Sequence, residues 1–135
     1  MLFLLDTNAV SDYTLEHARI EANLAAMLPG DSAALCTIVR GEILFGVNRL
    51  PLGKKRDDLR QRADKILSGL QCFAVPETAG DHYSVVKIAT QLKGFTFNDN
   101  DLWIAATALT LGATLVTRDK DFSHVPGLIR KDWSV

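Results

Sequence analysis

Long apolar runs, paired cysteines and net charge are all scarce in this sequence of 135 residues. No apolar run approaches the roughly eighteen residues a membrane-spanning helix needs. The opening Met1-Leu2-Phe3-Leu4-Leu5 has no basic flank and is too short for the apolar centre of a secretory leader. It reads as a buried strand of a cytoplasmic protein. The formal net charge of −1 excludes binding nucleic acid by bulk charge, while leaving room for a local basic face. Cys36 and Cys72 are the only cysteines and form no Cys-x-x-Cys pair. Both lie in apolar, strand-like runs and are expected as buried free thiols. His17, His82 and His124 form no metal-spaced pair and read as surface or packed histidines. No repeat, linker or low-complexity stretch divides the chain, and residues 1–135 are expected to form one domain with a real core.

What the sequence does have is one stretch that organises the rest, Asn98 to Leu111. Asn98-Asp99-Asn100-Asp101 suits a helix start. The residues that follow are almost wholly apolar, the pattern of a buried helix ended by Gly112. Ile104, Ala105 and Ala108 stand three, four and seven residues beyond Asp101, which places its carboxylate on a strip facing inward. An ionised acid there needs capping bonds, a cation or a metal.

Short apolar runs at Leu2–Leu5, Ala33–Cys36, Cys72–Val75 and Ala113–Val116 predict four strands, with Leu128-Ile129 as a shorter fifth. Helical patterns lie between them. One runs from about Ala9 to Met27 with a possible break near Tyr13-Thr14. The next begins near Ile38, with Thr37 as its cap; Val39, Ile43 and Val47 share one strip, and Ile38, Glu42 and Phe45 a neighbouring one. Lys54–Gly69 is amphipathic, with Leu59, Ala63, Ile66 and Leu70 on its apolar line and Lys54, Lys55, Arg56, Arg60, Arg62 and Lys65 on the other face. That basic face reads as a solvated surface before it reads as an RNA contact. Thr78-Ala79-Gly80-Asp81 has a capping-box pattern and opens a helix to about Leu92. Trp133 is expected to pack the tail down. Strands alternating with helices indicate a mostly parallel sheet covered on both faces.

In open parallel sheets, ligands bind beyond the carboxyl ends of the strands, where strand order reverses. Asp6 follows the first strand and Asp119 the fourth. Glu42 lies early in the helix after the second strand, and Asp101 in the first turn of the helix entering the fourth. All four are expected at one edge of the sheet. Singly, each has an ordinary role: Asp6 and Asp119 in turns or caps, Glu42 on a helix surface, Asp101 as a helix-start carboxylate. Asp99 and Asp121 are nearby competitors read as solvated. Together the four are harder to dismiss. Two carboxylates about 5 Å apart repel by roughly 3 kcal/mol at an effective dielectric near 20, so a cluster needs an offsetting charge. Oxygen donors without histidine or thiolate favour Mg²⁺ or Mn²⁺ over zinc. An open acidic Mg²⁺ site suits phosphodiester hydrolysis.

At these residues the chain resembles a known family. Leu4-Leu5-Asp6-Thr7-Asn8, Thr37-Ile38-Val39-Arg40-Gly41-Glu42 with Gly46, Asp101-Leu102-Trp103-Ile104-Ala105-Ala106-Thr107-Ala108, and Leu115-Val116-Thr117-Arg118-Asp119 through Phe122 are similar to PIN domains. The match is nearest to the VapC-type toxins of bacterial toxin–antitoxin pairs, and it extends to Trp133. The resemblance implies a PIN-like three-layer α/β sandwich with four to five strands and a metal-dependent endoribonuclease activity. It makes Asp6, Glu42 and Asp101 the acidic triad and Asp119 a more variable fourth acid. Asn8 matches an amide that orients the first aspartate, and Thr7 and Thr117 match hydroxyl positions beside the site. A homodimer and a cognate antitoxin partner are also implied. The doubled acidity of Asn98-Asp99-Asn100-Asp101 departs from the pattern and leaves Asp99 as another possible ligand. Asp132 stands where the family more often has an amide.

The expected mechanism has Asp6 and Asp101 binding Mg²⁺, with Glu42 and Asp119 completing the site. Arg40, Arg118 and the cations from Lys54 to Lys65 are candidate contacts to the RNA backbone. Two rival readings stand beside it. One is another Mg²⁺ phosphohydrolase with Asp6 as nucleophile, disfavoured because Asn8 occupies the place of a second acid. The other is a non-catalytic module acting through a DNA-bound antitoxin complex.

Overall fold

A computed structural model describes residues 1–135. Five strands form one wholly parallel sheet in the order β3-β2-β1-β4-β5. The central strand is β1 (Leu2–Leu5), whose buried run reflects the lack of any solvent face. From it the chain moves outward through α1 (Thr7–Thr14), α2 (Ala18–Ala25), β2 (Ser32–Cys36), α3 (Thr37–Asn48), α4 (Lys54–Gly69) and β3 (Gln71–Phe73). It then crosses back through α5 (Ala79–Leu92) and α6 (Asp99–Leu111) to β4 (Thr114–Val116), a short 3₁₀ turn at Lys120–His124, and β5 (Arg130–Lys131). Strand order therefore reverses between β1 and β4, which pair in register from Phe3↔Thr114 to Leu5↔Val116.

Helices α1, α3 and α4 pack on one another, and α5 packs on α6. This follows from the right-handed crossover rule, because the outward and return legs place their helices on opposite faces. One contiguous apolar cluster runs through the sheet, including Leu4, Leu5, Leu35, Val39, Ile104, Leu115 and Phe122. No helix is long and apolar enough to cross a membrane. Trp133 is buried against Phe3, ring centroids 5.0 Å apart, so the tail is pinned to the central strand as expected.

Several local expectations need correction. The first helical pattern breaks after Thr14, where the sequence placed a break, but its two helices start at Thr7 and end at Ala25 rather than at Ala9 and Met27. The chain between them turns at Glu16, which takes a left-handed φ of 60°. Helix α2 is capped instead by His17, whose Nδ1 accepts from the Arg19 amide at 3.2 Å. Thr37 is the first residue of α3, not its cap, and its hydroxyl donates to the Phe73 carbonyl at 3.3 Å. Thr78 is already helical in φ and ψ and makes no capping bond. On α4 the expected line holds, with Ala63 fully buried and Leu59, Ile66 and Leu70 packed against the core, and Leu67 is buried beside them. Strand β3 spans three residues rather than Cys72–Val75, and β5 lies two residues beyond Leu128-Ile129. Both are sheet edges, which is why Cys72 is exposed while Cys36 is buried.

Candidate active site

The reversal between β1 and β4 opens a crevice, and the chain puts an acid on each side of it. Asp6 ends β1, and its amide donates to the Val116 carbonyl of β4 at 3.0 Å. Its Oδ1 accepts the Ala9 amide at 2.8 Å, capping α1. The ordinary capping role is thus real, but it places a carboxylate only 4% exposed at the crevice. Glu42 comes from the second turn of α3, and the Thr7 hydroxyl donates to its Oε1 at 2.6 Å. Asp119 begins the 3₁₀ turn: its Oδ1 accepts the Asp121 amide at 2.9 Å, and its own amide donates to Thr117 Oγ1 at 3.0 Å.

Asp101 is different. The amide it carries is capped by Asn98 Oδ1 at 3.1 Å, so Asn98 and not an acid closes the helix start. No lysine or arginine pairs with Asp6, Glu42, Asp101 or Asp119. Burial pushes Asp101 from the ordinary 3.8 up to about 6, reinforced by the charges of Glu42, Asp119, Asp6 and Asp121. Burial also lifts Asp6 to about 6, with Asp119 adding, while the Thr117 hydroxyl beside it, the Ala9 amide and Arg118 pull the other way. Asp101 thus feels the charge of the other three acids, and Asp6 feels that of Asp119.

The residues fit a hard dication by their chemistry: all donors are oxygen, and no cationic side chain neutralises them. No three acidic, histidine or cysteine side chains converge into a ready-made cage.

Asn8 departs from expectation. It is exposed and makes no bond to Asp6; the Ala9 amide orients that carboxylate instead. Thr7 and Thr117 do lie beside the acids, Thr7 on Glu42 and Thr117 between Asp6 and Asp119. Asp99 is drawn away. Its Oδ1 accepts from the Tyr83 hydroxyl at 2.8 Å and lies 3.6 Å from Lys87 Nζ. Tyr83 in turn stacks on Trp103 at 4.1 Å. Sequence reading missed this clamp, although Tyr83 and Lys87 at a four-residue spacing on α5 mark one helix face. Among the expected RNA contacts, Arg118 pairs with Asp12 at 3.4 Å. Arg60 is held by Asp64 at 3.1 Å and Asn48 at 3.0 Å. Lys54, Lys55, Arg62 and Lys65 have no ion-pair partner.

Beside the acids lies an opening of about 560 Å³ whose walls include Thr7, Glu42, Phe45, Gly46, Arg49 and Asn100. A second groove of about 330 Å³ shares Thr7, Glu42, Gly46 and Arg49 and reaches Leu59 and Ala63 of α4.

An open parallel α/β fold with acids unpaired by any cation at its switch point has the chemistry to bind a cation and to act on phosphoryl groups. Residues 3–128 match the PIN domain, and the chain belongs to that family. It is 30% identical to Ribonuclease VapC2 of Rickettsia felis over 135 residues, covering 98% of each chain. It is 28% identical to Ribonuclease VapC1 of Haemophilus influenzae over 137 residues, covering 99% of each. Among solved structures it is similar to VapBC2 from Rickettsia felis bound to a DNA fragment from their promoter. There the TM-score is 0.89 at 29% identity, over 98% of this chain and 99% of that one.

Proposed function

We propose that this protein is a divalent-metal-dependent endoribonuclease, the toxin of a toxin–antitoxin pair, working as one domain in the cytoplasm. The observation that carries this is the set of four acids around Asp101, unpaired with any cation and electrostatically incomplete. The ribonuclease names of its full-length relatives and the VapBC complex it resembles support the substrate class and an antitoxin partner. A homodimer is part of the same proposal and rests on family likeness.

Asp6, Glu42, Asp101 and Asp119 would hold Mg²⁺ or Mn²⁺, which supplies Lewis acidity toward a phosphate and a water activated at neutral pH. The chain's own residues do the rest. Thr7 ties down Oε1 of Glu42, leaving Oε2 to orient the attacking water and take its proton. Thr117 accepts the Asp119 amide and lies against the Asp6 carboxylate, tying the Asp119 segment to Asp6. Water oxygen bonds to phosphorus, the bond to the 3′ oxygen breaks, and that oxygen takes up a proton. The products are a 3′-hydroxyl and a 5′-phosphate.

Incubating the purified protein with total cellular RNA tests this. The expected result is Mg²⁺-dependent cleavage leaving 5′-phosphate ends, abolished by EDTA and by Asp6→Asn. A folded Asp6→Asn protein that cuts as well as its parent removes the mechanism. A trapped aspartyl-phosphate on Asp6 would favour the phosphohydrolase reading. Coexpression of the cognate antitoxin is expected to suppress cleavage.

A further inference from the structure

Helix α3 carries Glu42 into the site, and the surface just beyond Glu42 is unusually bare. Phe45 is 66% exposed, although Ile43 and Val47 beside it are buried. A single exposed apolar residue means little, but this one has company. Arg49 stands with its guanidinium 5.9 Å from the Phe45 ring centroid and has no carboxylate partner. Positions 42, 45 and 49 follow the three- and four-residue steps of one helix face, so the acid, the ring and the cation lie in a row. Gly41 and Gly46 flank that row and line the same opening. Neither has a left-handed φ, and a Cβ at either would meet nothing within 4 Å. Glycine is the least favourable ordinary residue inside a helix. Neither packing nor backbone conformation asks for it at these two positions, and the missing side chains leave room for a ligand to lie close against the helix.

We propose that Phe45, Gly46 and Arg49 form a subsite for one unpaired RNA nucleotide next to the cleaved phosphate, resting on the nuclease reading above. The base stacks on Phe45, the sugar–phosphate backbone lies over Gly46, and Arg49 contacts the adjoining phosphate. Aromatic rings and guanidinium planes are the common platforms for splayed bases, and Asn100 on the facing wall offers an amide to a base edge. The lining favours RNA over an amphipathic peptide helix. Ile38 and Phe45 are its only apolar members, and the apolar trough a peptide helix needs lies in the adjoining groove, with Leu15, Ile43, Val47, Leu59 and Ala63. The stacked base must be unpaired, so this subsite selects loops and single strands.

The test measures binding of a labelled single-stranded RNA of random sequence to the Asp101→Asn protein with Mg²⁺ present. Adding Phe45→Ala is expected to weaken binding roughly five- to a hundredfold, and Phe45→Tyr to restore it. Arg49→Ala is expected to lower the slope of log affinity against log salt by about 0.7, the loss of one single-strand phosphate contact. Gly46→Leu is expected to suppress binding while the thermal midpoint holds or rises, which separates a filled groove from an unfolded one. Binding unchanged by Phe45→Ala and Gly46→Leu overturns the subsite. So does a Phe45→Ala defect confined to the antitoxin complex, which would assign the groove to the protein partner. The nuclease reading fails by a different result: equal cutting by the parent and by Asp101→Asn.

Discussion

Asp99 and Asp101 stand two residues apart in α6, and the chain treats them oppositely. Asp99 leans toward α5, where it has a phenol, an ammonium group and open water. Asp101 turns toward the sheet edge, where it has other carboxylates and partial burial. One acid is settled and the other is held at a cost. The difference teaches where to look for chemistry, because a group kept unpaired among like charges is kept for a ligand.

The strongest way to break this comparison is to remove each charge in turn. Asp101→Asn is expected to lower the rate of RNA cleavage on the order of a thousandfold. Asp99→Asn should leave it within about twofold. End-labelled RNA assays on both variants read the split, and equal losses would erase the distinction drawn between them.

Next in size is a pH effect on stability. Asp6 rises from the ordinary 3.8 to about 6 on folding. Between those values the folded chain holds a proton the unfolded chain has released. Stability therefore falls as pH climbs through that window and levels off above it. For Asp6 the penalty at neutral pH is about 3 kcal/mol. Asp101 contributes in the same direction but less, since water screens its half-open carboxyl. In EDTA, denaturant melts should show stability declining from about pH 4 to pH 7. Asp6→Asn keeps a competent cap and should flatten that decline, as should added Mg²⁺. A flat profile in the parent protein would contradict the burial argument.

A smaller effect is expected at Thr7. Thr7→Val removes the bond to Glu42 and should lower kcat roughly tenfold with little change in KM, since it disturbs the aim of one carboxylate. Steady-state kinetics separate the two constants. Smallest of all is Tyr83→Phe, which keeps the stack on Trp103 but loses the hydroxyl to Asp99. About 1 kcal/mol of stability should go, visible in a denaturant midpoint, with cleavage nearly untouched. A large loss of activity there would mean that the settled side of α6 supports the unsettled one.

Much of this is legible in the amino-acid sequence alone. Strand ends and helix starts are punctuated by residue type, so Asp6, Glu42, Asp101 and Asp119 could be assigned to one edge from their places relative to apolar runs. The parallel sheet followed from strands too apolar to face water. Features set by distant partners were not readable. The parting of Asp99 from Asp101 depends on Tyr83, in another helix. Cys72 looked buried because its run is apolar, yet an edge strand leaves one flank open. Thr37 and Thr78 have the right side chains for caps, but backbone geometry gives one a carbonyl partner across the sheet and the other none. Asn8 sits beside Asp6 in sequence but is exposed and makes no hydrogen bond to it.

The sheet ends in strands of three and two residues. Such short margins give a neighbouring chain almost no ladder to extend, so copies of the protein have little means of zipping together edge to edge. For a protein with an antitoxin partner this matters: a copy parted from that partner presents no long strand edge on which other copies could build.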